Sequence, residues 1–274
     1  MTDASPNIRR TDRKFSQFVQ SLERGLNVIA SFSNDAPQQT LSDVAAATGI
    51  SRAAARRILL TLNELEYVRF DGRLFQLTPK VLRLGYSFLS SHGFAEAAQP
   101  IVANIVKQVE ESSSISILDG HEIVYIVRVQ TKRIMRTAGI HIGTRLPAHA
   151  TAMGRVLLSG LADDELRQFL ESTPLTKLNK TTIDDKAELF RLIKKIREDG
   201  YVIVRDELEL GIQSIAVPVC NGQGGVVAAL NVGAQSARMS PARAVKEALP
   251  ILLDSARQLQ EFVSCMPAVE IRDI

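Results

Sequence analysis

Arg52, Arg56 and Arg57 sit on a segment that holds no Asp or Glu from Ile50 to Asn63. A guanidinium fork matches phosphate oxygens and the edge of guanine, and small residues such as Ala53 between arginines let a helix approach a groove closely. Two further polar sets lie downstream. The segment from Gly139 to Gly154, GIHIGTRLPAHATAMG, holds His141, Arg145 and His149, with Arg136 just before it and Arg155 just after. In it Pro147 leads into the small residues Ala148, Ala150, Thr151, Ala152 and Gly154, leaving backbone uncovered where a helix begins. The unpaired N–H groups and partial positive charge of a helix start suit a carboxylate. From Arg205 to Ser214, RDELELGIQS, Asp206, Glu207 and Glu209 either hydrogen-bond a ligand hydroxyl or brace their own loop. The two segments together suit a pocket of a few polar groups on an apolar wall. Gly154 equally suits close helix packing, and a lone His equally suits a structural role.

The arginines need a rigid carrier, and Leu41 to Leu65 supplies the pattern of one. Leu41, Val44 and Ala45 have helical spacing behind Thr40, a capping residue, with Asp43 favouring the positive end. Gly49 ends that helix and Ser51 caps the next, on which Ala55, Ile58, Leu62 and Leu65 form one stripe and Arg52, Ala53, Arg56, Arg57 and Asn63 the other side. Upstream, Leu22, Leu26, Ile29 and Phe32 mark a helix able to pack behind the pair. Downstream, Tyr67 to Phe70 and Arg73 to Leu77 flank Asp71-Gly72, the signal of a type I′ hairpin. Val68, Phe70, Phe75 and Leu77 then share a face, with Arg69 and Arg73 near the tip. Three helices and a basic-tipped hairpin make a winged helix-turn-helix, a carrier for reading double-stranded DNA.

Charge agrees with a localised basic patch. Residues 1–80 hold eleven Lys/Arg and eight Asp/Glu, whereas residues 81–274 hold twenty-two of each, so the chain's net +3 sits in its first segment. Arg9, Arg10, Arg13 and Lys14 suit either a basic arm over residues 1–15 or a plain soluble terminus. The 274 residues, 45% hydrophobic, suffice for a small module and a larger core. No Trp and few aromatics argue against a base-stacking RNA platform. With no 18-residue apolar run and no basic-then-apolar leader, the expectation is a cytoplasmic protein without membrane contact. Cys220 and Cys265 stand far apart with no CxxC or Cys/His cluster, indicating neither metal nor disulfide framework; two inert thiols or a redox pair both fit. No cofactor is expected.

The boundary falls at Thr78-Pro79, with the winged helix over 16–78. Residues 79–98 read as a linker helix, apolar on nearly every side from Val81 to Leu89, that packs either on a second copy or on its own chain. Residues 99–265 follow as an α+β domain and 266–274 as a tail. Within it, Ile101 to Val109 is helical, Ile115 to Leu118 and Ile123 to Val129 form a hairpin, and Arg133 to Ile140 is a third strand. Helices near Ala150–Leu161, Asp163–Glu171 and Asp184–Asp199 precede strands Tyr201–Arg205, Ser214–Val219 and Val226–Val232. Ser240-Pro241 opens a closing helix to Val263. The sum is an antiparallel sheet of six strands flanked by helices.

FVQSLERGLNVIASF, the helix-turn-helix, LPAHATAMGRVLL, ELGIQSIAVPV and VVAALNV occur in an order that resembles the IclR-type bacterial transcriptional regulators over nearly the whole chain. QSLERGLNVI with ISRAAARRILLTLNELEYV is most similar to the branch governing protocatechuate and β-ketoadipate pathway genes. The resemblance implies a homodimer or dimer of dimers, a GAF-like C-terminal domain binding a small organic acid, and RNA polymerase as a further partner. By motif position it implies a reading helix from Ser51 to Leu60, a wing from Arg69 to Arg73, and effector-facing stretches Leu146–Gly154 (through Met153), Asp206–Ser214 (through Ile212) and Leu230–Val232. Two positions depart: Glu66 stands where the family has glycine, and Ala54 where serine or threonine is common. The alternative of another class is an enzyme acting on a small carboxylic acid, tethered to a DNA-binding module. His141, His149, Asp206 and Glu207 supply ingredients for it, yet no HExxH, GxSxG, Walker or Rossmann fingerprint surrounds them. A ligand-independent partner-binding module is the third.

Overall fold

The structure, a computed structural model, describes residues 18–33, 35–84, 93–131 and 139–265. The expected basic arm, much of the linker helix, Arg136 and the tail lie outside the described residues. Two compact units divide the chain, within 1–88 and 89–274.

In the first unit α1 (Gln20–Ala30), α2 (Leu41–Thr48) and α3 (Arg52–Glu64) precede a sheet of β1 (Gln38–Gln39), β2 (Val68–Phe70) and β3 (Phe75–Leu77), in the order β1-β3-β2. The helix limits follow from local chemistry. Thr40 Oγ1 accepts from the Asp43 N–H at 3.3 Å while Asp43 Oδ2 accepts from the Thr40 N–H at 2.9 Å, a complete capping box. Gly49 takes φ +65° to end α2, and Ser51 Oγ accepts from the Ala54 N–H at 3.2 Å to start α3. Val28, Val44, Ala45, Ala55, Leu59, Leu62, Val68 and Phe75 form the core.

Three details differ from expectation. On α3 the fully packed stripe is Ala55, Leu59 and Leu62, whereas Leu65, the C-cap, is exposed. On α1 only Val28 is buried, and Leu22 and Leu26 are 63% and 52% exposed, leaving an apolar stripe open. The wing pairs Val68 with Leu77 and Phe70 with Phe75 as expected, but its loop is longer than a two-residue type I′ turn. Asp71 Oδ1 accepts from the N–H groups of Arg73 (2.9 Å) and Leu74 (2.7 Å), so the aspartate side chain shapes the turn and only Gly72 needs a positive φ.

The second unit begins with α4 (Phe94–Val109), β4 (Ser112–Asp119) and β5 (Glu122–Val129). After β6 (Arg145–Pro147) and a 3-10 turn at Ala148–Ala150 come α5 (Ala152–Ser159), α6 (Asp163–Ser172) and α7 (Lys186–Asp199). It continues with β7 (Val202–Arg205), β8 (Ile212–Cys220) and β9 (Val226–Gln235). The closing helix opens at Pro241–Arg243, passes through a π turn at Ala244–Ala248 and ends as α8 (Leu249–Cys265). The sheet is antiparallel in the order β6-β5-β4-β9-β8-β7. Its sixth strand is Arg145–Pro147; the expected strand at Arg133–Ile140 falls largely outside the described residues.

Alternation assigns the two faces of the sheet. Ala216 of β8 and Ala229 of β9 join Met153, Val156 and Leu157 of α5 in one core with α6 and α7. Ile215, Val217, Leu230 and Val232 point the other way, towards the side on which α4 and α8 pack. Gly154 lets α5 lie against the preceding turn: a Cβ there would fall 2.1 Å from the Ala148 carbonyl oxygen.

Candidate effector pocket and nucleic-acid interface

The cap of Ser51 and the core contacts of Ala55, Leu59 and Leu62 turn one face of α3 outward. Ser51, Arg52, Ala53, Arg56 and Arg57 are all exposed on it, and no ion pair engages the three arginines among the described residues. Asn63, expected on that polar face, instead accepts from the Phe70 N–H at 3.1 Å and ties the wing to the helix. Arg69 and Arg73 are exposed on the wing; Arg69 Nη2 donates to Gln76 Oε1 at 3.1 Å.

In the second unit a cavity of about 310 Å³ opens between the α5 side of the sheet, the start of α5 and the loop after β7. Of the residues expected to face an effector, Leu146, Ala150, Thr151, Ala152, Met153, Glu207, Ile212 and Ser214 line it. Thr151 Oγ1 accepts from the Gly154 N–H at 3.1 Å, capping α5. Ala152 and Met153, the first two residues of α5, line the cavity, at a helix start whose first N–H groups have no intrahelical acceptor.

The remaining expected residues stand elsewhere, each for an identifiable reason. His141 is exposed on a loop held by the Thr144 hydroxyl at 2.9 Å. His149 is 1% exposed beneath the turn, its Nε2 at 3.1 Å from the Thr176 carbonyl, and burial pushes its pKa below the usual histidine value. Gly154 serves packing. Asp206, at φ +60°, braces its loop by accepting from the Gly211 N–H at 2.7 Å. Leu230 and Val232 lie on the far face, because alternation turns only the residue between them, Asn231, into the cavity. The cations near the motif are committed as well. Arg145 pairs with Asp119 at 2.6 Å and Glu122 at 2.8 Å. Arg155, 2% exposed, donates to both Glu207 oxygens at 2.8 and 2.5 Å and through Nε to the His149 carbonyl. Glu207 also accepts from the Ile183 N–H at 3.0 Å, so this carboxylate fastens the loop to α5.

Lining residues outside the expected stretches are Ser112, Tyr125, Arg128, Val204 and Gly233, all on strands, whereas Ile140, Leu208 and Asn231 fall inside expected stretches without having been singled out. Tyr125 and Arg128, three apart, would face opposite sides of a regular strand. A bulge at Ile115/Ser116 pairs Tyr125 with Ser116 and Arg128 with Ser114, bringing both to the cavity face. Burial pushes the Tyr125 hydroxyl up to about 12 and lowers the pKa of Arg128. A polar Asn between apolar neighbours in a buried strand was the one signal that could have marked Asn231.

The descriptions of known families decide the kinship. Residues 21–72 match the IclR helix-turn-helix domain and residues 86–261 the C-terminal domain of the bacterial transcriptional regulator IclR. The chain belongs to the IclR family. Within that family it is 40% identical over 242 residues to the Pca regulon regulatory protein of Pseudomonas putida, covering 88% of this chain and 83% of that one. A crystal structure from Rhodococcus sp. RHA1, described as a transcriptional regulator, is 48% identical with a TM-score of 0.82, covering 90% of this chain and 99% of that one. The inducer-binding domain of the Acinetobacter PobR transcription factor, a double mutant in complex with 3-hydroxybenzoic acid, is 36% identical over 61% of this chain and 97% of its own, with a TM-score of 0.58. The IclR winged helix and effector-domain architecture are therefore those of this chain.

Proposed function

We propose that this IclR-family chain regulates transcription of aromatic-catabolism genes by binding duplex DNA through α3 and the wing, under control of a small organic acid held in the cavity beside α5. Arg52, Ala53, Arg56 and Arg57 enter the major groove, with Ser51 close to a phosphate and Arg69 and Arg73 on the flanking backbone. The acid lies against Leu146, Ile212 and Met153, with its polar end among the donors that face the cavity. The observation carrying this reading is that cavity: apolar walls, the first turn of α5 at Ala152 and Met153, and a Glu207 already neutralised by Arg155. The aromatic class follows from the relatives, one governing a pca regulon and another complexed with a hydroxybenzoic acid.

Two copies act together on a two-fold site. Leu22 and Leu26, exposed along α1, supply apolar surface for pairing. Catalysis is not needed: of the candidate acid-base residues, His141 is on an exposed loop, His149 in a buried turn, Asp206 braces its loop and Glu207 is held by Arg155, and no cluster of metal-binding type occurs among the described residues. No described helix is long and apolar enough to cross a membrane.

Fluorescence anisotropy on the chain's own upstream intergenic DNA, with scrambled duplex as control and hydroxybenzoates added in turn, tests the reading. Preference for the intergenic duplex that changes with one acid, the acid being recovered unaltered, is expected. No preference with or without acid overturns it, and product formation would make the domain an enzyme.

A further inference from the structure

Among the polar groups buried in this cavity, two side chains on β5 and β9, the strands either side of β4, have unspent hydrogen-bonding capacity. Arg128 donates through Nη1 to Ser114 Oγ at 3.0 Å, but its buried Nε has no acceptor and no carboxylate pairs with it among the described residues. Segment 132–138, undescribed, contains no Asp or Glu. Asn231 donates through Nδ2 to Ser214 Oγ at 2.8 Å and leaves a buried Oδ1 without a donor. Whichever way that amide is turned, one of its polar atoms is left over.

Strand register places these groups together. Arg128 pairs with Ser114 and Ser114 with Asn231, forming one row across β5, β4 and β9, and Ser214 of β8 lies diagonally beside it. Two strand spacings, about 10 Å between backbones, separate the cation from the amide. Tyr125, Met153 and Ile212 line the same cavity.

Buried donors and acceptors in folded proteins nearly always have partners, and a half-buried cation without an anion is costlier still. Resting on the sensor reading above, we infer that the effector is a hydroxylated aromatic monocarboxylate bound in one orientation, its carboxylate on Arg128 and its ring hydroxyl read by Asn231 and Ser214. A guanidinium whose Nε lacks an acceptor takes a carboxylate oxygen. An amide oxygen lacking a donor takes a hydroxyl proton. A second carboxylate is disfavoured: Glu207 is neutralised by Arg155, but Glu209 also lines the cavity and has no cation partner among the described residues. Hence a ring acid with a hydroxyl opposite the carboxylate fits, and a dicarboxylate of the same length does not.

Isothermal titration of the full chain with 4-hydroxybenzoate, 3,4-dihydroxybenzoate, benzoate, terephthalate and adipate tests this, with the unliganded melting temperature as the check on folding. The hydroxybenzoates are expected to bind about 10–100-fold more tightly than benzoate, as a satisfied buried amide predicts. Terephthalate and adipate should be weaker than either. Asn231→Leu should bring 4-hydroxybenzoate down to the affinity of benzoate while leaving benzoate unchanged, and Arg128→Gln should weaken every acid together. Terephthalate or adipate binding as tightly as 4-hydroxybenzoate overturns the inference, as does an Asn231→Leu protein that keeps the hydroxyl preference. Should Arg128→Gln fail to fold, the ligand series on the unaltered chain still decides. No binding of any acid overturns the sensor reading and this orientation with it.

Discussion

Glu66 occupies a backbone conformation that costs it energy. It follows α3 at φ +62°, where the resemblance to the IclR family places a glycine, and a side chain in the left-handed region costs about 1–2 kcal/mol. Its exposed ion pair with Lys80 offsets little of that. Glu66→Gly should therefore stabilise the chain by about 0.5–1 kcal/mol once the added freedom of the unfolded glycine is deducted, read as a rise in urea midpoint at constant slope; a lower midpoint contradicts this account. Gly154 is the opposite case. A Cβ would fall 2.1 Å from the Ala148 carbonyl and 2.4 Å from its Cα, both backbone, so Gly154→Ala should cost about 1–3 kcal/mol or more. His149 adds a pH dependence. Burial lowers its folded pKa below the unfolded value, so the unfolded chain binds the proton more readily and stability falls as pH drops through the unfolded pKa. Below the folded pKa the loss is complete. Chemical denaturation between pH 7.5 and 5.5 should show this slope in the native chain and a shallower one in His149→Asn; equal slopes would remove His149 from the account.

Among the described residues, the ion pair joining α5 to the loop between β7 and β8 is the buried Arg155–Glu207 pair. Arg155 spends three donors, on both oxygens of Glu207 and on the His149 carbonyl, while Glu207 also accepts from Ile183. Removing one partner strands a buried charge, so Arg155→Met should cost about 3–5 kcal/mol, whereas Arg155→Met with Glu207→Leu should recover much of it. A double mutant no more stable than the single would mean that the backbone bonds to Glu207, not the pair, hold the loop. Arg155 could be seen beforehand only as a nearby cation, because nothing in a linear pattern says that Glu207, 52 residues on, will consume it. The elements themselves were legible: the Thr40–Asp43 box, Gly49, Ser51 and Thr78 act locally, and local chemistry is written in neighbouring letters. Half of the pocket was legible too, as Ala150 to Met153 and Ser214 follow from a helix start and a loop. What sequence could not give were Arg128 and Tyr125, whose shared face depends on the bulge at Ile115/Ser116, and the choice of Asn231 over Leu230 and Val232, which depends on which face of β9 receives α5.

At the scale of the whole chain, charge and cavity are kept apart: the net +3 belongs to the first 80 residues, and the described cavity to the second unit. Affinity for DNA should then depend on salt through few contacts. Each arginine that meets a phosphate contributes about 0.9 to the slope of log K against log salt. Arg69→Ala and Arg73→Ala on the wing should each lower that slope by about one and weaken matched and scrambled duplex alike, whereas whichever of Arg52, Arg56 and Arg57 reads a base should cost about 1–3 kcal/mol on the matched duplex only. Equal losses on both duplexes for all three would assign α3 to the backbone alone. Control by the acid reaches the DNA only as a difference in its affinity for two arrangements of the protein, typically about 1–3 kcal/mol, or about 5–150-fold. Because that coupling is reciprocal, saturating operator duplex must change the affinity of the acid by the factor by which saturating acid changes that of the duplex. Titrating each ligand in the presence of the other measures the factor from both sides. A factor of one from either direction, with both ligands bound, would leave the cavity occupied but the reading heads uninformed, and the chain would then be a DNA-binding protein with an acid site and no switch between them.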